Sequence, residues 1–101
     1  MLKADDGDPA LLEPLVASCD KRIRAAAIAA LTRHAGPDAP RWFARGLKDP
    51  DPCVRVETAR RLADLDPAAH RKVFDLALHD PDPDVVRRAR KLAAGKGFRR
   101  V

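Results

Sequence analysis

An all-α stack of three antiparallel helical hairpins, an α-solenoid, is the fold this 101-residue sequence predicts. Three observations carry it. Lys48-Asp49-Pro50-Asp51-Pro52-Cys53-Val54-Arg55 returns 31 residues later as His79-Asp80-Pro81-Asp82-Pro83-Asp84-Val85-Val86, and a fixed period of that length marks a stacked repeat. The same shift carries Leu12 to Phe43 to Phe74, Leu11 to Trp42 to Val73, Val16 to Leu47 to Leu78, and Ile23 to Val54 to Val85. A composition of 46% hydrophobic and 35% charged residues, rich in Ala and Leu, suits a helical globular chain. Residues 1–101 then form a single domain with repeats at about 8–36, 37–65 and 66–94 and a basic tail over 95–101.

Proline and aspartate mark the elements. Asp8-Pro9, Asp38-Ala39-Pro40 and Asp66-Pro67 each offer an N-cap side chain followed by a proline suited to a first helical turn, so each opens a first helix. Leu11, Leu12, Leu15 and Val16, then Phe43 and Leu47, then Val73, Phe74, Ala77 and Leu78 keep the spacing of a buried stripe. Pro14 interrupts the first of these helices by removing a donor and crowding the preceding turn, which predicts a short or bent element. The Asp-Pro-Asp-Pro phrases stop one helix and start the next. Second helices follow at about 20–34, 52–64 and 83–94, with Ile23, Ala27, Leu31, Val54, Thr58, Leu62, Val85, Ala89 and Leu92 expected inward. Gly36-Pro37 closes the first hairpin, and Gly95-Lys96-Gly97 closes the last helix. Leu12, Phe43, Phe74, Val54 and Leu62 form the expected core.

Ile23-Arg24-x-x-Ala27-x-x-Ala30-Leu31 and Asp49-Pro50-Asp51-Pro52-Cys53-Val54-Arg55-x-x-Thr58-Ala59-x-x-Leu62 resemble HEAT repeats of the short HEAT_2 or PBS-lyase type, and the resemblance runs from about Asp8 to Ala94. It implies a right-handed superhelix whose second helices line the concave side. It also implies a polar ladder between repeats, made by the aspartate before the second helix and the arginine after its first valine. Asp49 with Arg55 fits that pattern. Repeat one keeps Arg24 but has Ser18 where the acid is expected, and repeat three has Val86 at the arginine register, so the terminal copies read as caps. The family includes scaffolds, adaptors, transport factors, some lyases and DNA-repair relatives, so the resemblance is specific for fold and broad for function.

Charge is distributed unevenly. Up to Asp84 the chain carries thirteen basic and fifteen acidic residues; from Val85 onward Arg87, Arg88, Arg90, Lys91, Lys96, Arg99 and Arg100 stand without an acid. Such a block attracts an acidic protein surface or a phosphate backbone, or serves only as a solvated cap. The outward ridge of the second helices reads as Ala25, Ala29 and Thr32, then Val56, Arg60 and Ala63, then Arg87, Lys91 and Ala94. Phe98, between basic residues, fits either a cover for the stack end or a contact inserted into a partner.

Chemistry has few candidates. His34, His70 and His79 lack metal-ligand spacing, no Gly-rich phosphate loop is present, and Asp49, Asp51, Asp80, Asp82 and Asp84 suit capping and turns. Cys19 and Cys53 have neither CxxC spacing nor enough partners for a disulfide framework, and read as buried or half-buried thiols. The expectation is a non-enzymatic, cofactor-free, cytoplasmic protein without a membrane span. Its leading role is an adaptor or scaffold that binds an acidic segment of another protein through Val56, Arg60, Arg87, Arg88, Arg90, Lys91, Phe98, Arg99 and Arg100. The alternatives are sequence-nonspecific nucleic-acid binding by the basic block, since the absence of Asn and Gln removes their adenine contacts, and an accessory subunit of a lyase or cofactor-loading enzyme.

Overall fold

In the computed structural model, residues 9–34 and 36–94 are described, and among them are six α-helices and no strand. The first hairpin pairs α1 (Pro9–Leu12), continued by a 3-10 segment over Glu13–Ala17, with α2 (Lys21–His34). The second pairs α3 (Ala39–Leu47) with α4 (Pro52–Arg61), and the third pairs α5 (Arg71–Leu78) with α6 (Pro83–Ala93). The second helices form one layer, with α2 against α4 and α4 against α6; the first helices form the other, with α3 against α5. Extents of 46 × 25 × 17 Å express this one-dimensional growth, in which each hairpin packs mainly on its neighbours. No helix among the described residues is long and apolar enough to cross a membrane.

Pro14 acts as its chemistry requires: α-geometry stops at Leu12 and the chain tightens to 3-10 turns. Each Asp-Pro-Asp-Pro turn is built by two carboxylates. Asp49 accepts from the Asp51 N–H at 2.9 Å and Asp51 from the Cys53 N–H at 2.8 Å; Asp80 and Asp82 repeat this at 2.8 and 2.9 Å. The first aspartate shapes the turn, while the second caps the helix whose N1 proline needs no donor. The openings at Asp38 and Asp66 differ. Asp38 makes no side-chain cap bond. Asp66 accepts from the Ala68 N–H and closes an isolated turn with Ala69 and His70, so α5 starts at Arg71 rather than at Pro67.

Phe43, Phe74, Val54 and Leu62 are fully buried, whereas Leu12 is half-buried against the first cluster. One buried cluster joins Val16, Ala27, Ile28, Leu31, Trp42 and Val54 across the first joint. A second runs from Phe43 and Leu47 through Ala59, Leu62 and Phe74 to Val85 and Ala89. Ile23, expected inward, is 42% exposed, as are Leu11 at 54% and Leu15 at 43%. These residues occupy the register of Trp42, Gly46 and Val54, all of which are buried by contacts around the joint between hairpins. No hairpin lies on the other side of the first one among the described residues, so the same register is left in solvent. Ala29 and Thr32, expected on the outward ridge, are buried, and Thr32 Oγ1 donates to the Ala29 carbonyl. Cys19 and Cys53 are exposed rather than buried.

Candidate binding groove

The second helices are held in register by two inter-hairpin ion pairs. Arg24 Nε and Nη2 donate to the two oxygens of Asp49 at 2.9 and 3.1 Å, in a bidentate fork. One period later Arg55 Nε donates to Asp80 Oδ2 at 2.9 Å. The remaining guanidinium donors bind the turn before the same helix: Arg24 Nη1 reaches the carbonyls of Ser18 and Cys19, and Arg55 Nη1 those of Asp49 and Pro50. Asp49 therefore gives its carboxylate to Arg24 and only its carbonyl to Arg55. Asp80, read from sequence as a turn residue, is the second ladder acid, and the 31-residue shift from Asp49 points to it directly. The hydrogen bond to Asp49 raises the Arg24 pKa further above its ordinary value.

Ser18 and Val86 occupy the acid and arginine registers of the first and third hairpins without the ladder's charges. Ser18 Oγ accepts from the Asp20 N–H, keeping the turn without the charge. Val86 stands where a ladder arginine would point onward, in a face with Asp80, Pro81, Pro83, Arg87 and Arg90.

Between α2 and α4 runs an open groove of about 540 Å³. Its floor is small and apolar, made by Ala25, Ala26 and Ala29 beside Cys53; its rim carries Lys21, Arg22, Arg33 and Arg61 with one carboxylate, Glu57. Lys21 lies 3.7 Å from Asp51, and Arg22 3.7 Å from Asp20. Glu57 lies 3.7 Å from Arg60, outside the groove lining. The Cys53 N–H holds the Asp51 carboxyl below the usual carboxylate range, with the Lys21 charge adding to it; the Arg22 N–H and guanidinium do the same for Asp20. Arg33 and Arg61 have no ion pair among the described residues, and Arg61 Nε is buried without a hydrogen-bond partner.

The described residues among those expected to bind a partner differ in burial and pairing. Val56 is half-buried against the larger core cluster, and Arg60 is exposed beside Glu57. Arg87 pairs with Asp84 and lies with Arg90 on the face around the second Asp-Pro-Asp-Pro turn. Arg88 is half-buried with an unpartnered Nε, and Lys91 is exposed. Phe98, Arg99 and Arg100 lie outside the described residues, as does Gly95-Lys96-Gly97. On α4 the groove uses Glu57 and Arg61, one position beyond the Val56 and Arg60 of the expected ridge, and one residue turns a helix by about 100°; on α2 it keeps that ridge's Ala25 and Ala29 and adds Lys21, Arg22 and Arg33, which sequence reasoning missed. The available signal was the row of Ala26, Glu57 and Arg88, which also follows the 31-residue shift.

No curated protein and no solved structure matches the chain. HEAT repeats generally mediate protein–protein interaction and scaffolding. The family model for HEAT repeats matches residues 9–94, from the first described residue of the stack to the last, and the chain belongs to that family.

Proposed function

We propose that this chain is a non-catalytic adaptor or scaffold module whose α2–α4 groove takes an acidic segment of a partner protein. The observation that carries the reading is the groove's composition: a floor of alanines that lets a partner backbone approach closely, lined by four cations of which Arg33 and Arg61 have no ion pair among the described residues. The ladder arginines Arg24 and Arg55 are already engaged by Asp49 and Asp80, so the groove cations are a separate set. Arg87, Arg88 and Lys91 extend positive charge onto α6 and steer an acidic segment toward the same layer of helices.

Fluorescence anisotropy with acidic, neutral and basic peptides of equal length tests it. The acidic peptide is expected to bind, and reversal of Arg33 and Arg61 to glutamate to abolish binding. Equal binding of the neutral peptide would overturn the reading. Random-sequence duplex DNA is the control for phosphate contact: a steep salt dependence, with a log–log slope of about −0.9 per phosphate, together with tighter binding than the peptide would favour the nucleic-acid alternative.

A further inference from the structure

Lys21 and Arg33 stand at opposite ends of α2, separated by about 18 Å along the helix axis, and their electrostatic situations differ. At the Lys21 end each cation already has a carboxylate: Asp51 lies beside Lys21 and Asp20 beside Arg22. The middle holds Glu57, whose carboxylate lies nearest Arg60. At the far end, Arg33 and Arg61 line the same groove with no carboxylate partner among the described residues. The groove is neutralised at one end and cationic at the other.

We propose that the groove is directional: a partner's carboxylates dock at the Arg33–Arg61 end, and its small apolar side chains follow along Ala25, Ala26 and Ala29 toward Cys53. This rests on the reading of the groove as the binding surface and adds where the charge recognition sits. A buried guanidinium donor without an acceptor costs free energy that a bound carboxylate recovers. Cations in the last turn also offset a helix dipole. That accounts for where Arg33 and Arg61 stand along their helices, but not for an Nε left without a partner.

The occupant is an acidic segment of another protein. A nucleic-acid strand is charged along its whole length and would have to pass Glu57 in the middle of the groove and Asp20 and Asp51 near its other end. A peptide confines its charge to one end and places alanine-sized or leucine-sized groups opposite the floor.

Anisotropy of a fluorescein-labelled peptide with a Glu-Glu-Asp cluster at one end and alternating Ala and Leu at the other tests the direction. In the full chain, Arg33→Gln with Arg61→Gln is expected to weaken binding by about tenfold or more. Lys21→Gln with Arg22→Gln should change it by less than about threefold, and Glu57→Gln should strengthen it. Arg33→Gln alone, at an exposed site, repeats the test should the double variant melt early. Equal losses from both pairs would overturn the directional proposal while leaving the groove reading intact. No loss from either pair would overturn both. Tighter binding of a single-stranded oligonucleotide than of the peptide at physiological salt would overturn the choice of occupant.

Discussion

Arg55 on the second hairpin and Asp80 on the third form an ion pair 25 residues apart in sequence, with Nε 2.9 Å from Oδ2 and the Asp80 side chain only 3% exposed. Arg24 and Asp49 stand in the same relation one period earlier. Each acid serves two purposes, since its Oδ1 also accepts the backbone N–H that shapes the turn starting the next helix. A hairpin's local fold and its attachment to the preceding hairpin thus share one carboxylate.

Asp80→Asn is therefore expected to destabilise the stack by about 3 kcal/mol, because removing one partner leaves the Arg55 guanidinium largely desolvated and uncompensated. Arg87→Gln, at an exposed pair with Asp84, should cost less than about 1 kcal/mol. Urea denaturation of both variants checks the difference, and equal costs would refute the dual role assigned to Asp80.

Gly46 is a close-approach glycine. A Cβ there would stand 2.2 Å from Thr58 Oγ1 and 2.9 Å from Ile28 Cγ2, where α3 meets both second helices. Gly46→Ala is expected to cost about 1–3 kcal/mol through overpacking. Adding Thr58→Ala, which removes the nearer atoms, should recover part of the loss; a double variant no more stable than the sum of its singles would show that steric contact is not the cause.

Phe43 is fully buried and Ile23 is 42% exposed, although both belong to the repeating apolar register. Phe43→Ala is expected to cost on the order of 3–5 kcal/mol, and Ile23→Ala less than about 1 kcal/mol. Thermal melts of the two variants measure how far the bare end of the first hairpin differs from a joint between hairpins.

Acid should weaken the fold partly through Asp20 and Asp51. Their carboxyls titrate below the ordinary range in the folded chain because backbone N–H groups bind the charged form. Their contribution is complete above the unfolded carboxylate pKa of about 4 and is lost as pH falls through the lower folded value. Melting temperature measured from about pH 6 down to about pH 2 should fall less steeply in Asp51→Asn than in the unaltered chain. An unchanged slope would remove Asp51 from the acid response.

Features under short-range control were legible in the chain before it folded. Proline at 14, 52 and 83 set where helices tighten or begin, because a missing N–H acts on its own turn wherever the chain later packs. The 31-residue register identified Phe43, Phe74, Val54 and Leu62 as core for a similar reason: each copy buries the same stripe. The remaining features depend on how the hairpins pack. Ile23 repeats Val54 in register but has no hairpin on its outer side among the described residues, so identical periodicity ends in solvent. Asp49 takes Arg24, from the preceding hairpin, because the stacking of α2 on α4 brings that guanidinium to the turn. The groove faces Glu57 and Arg61 rather than Val56 and Arg60, since about 100° per residue makes helix phase depend on how neighbouring helices settle against one another, and that is a property of the packed layers rather than of either helix.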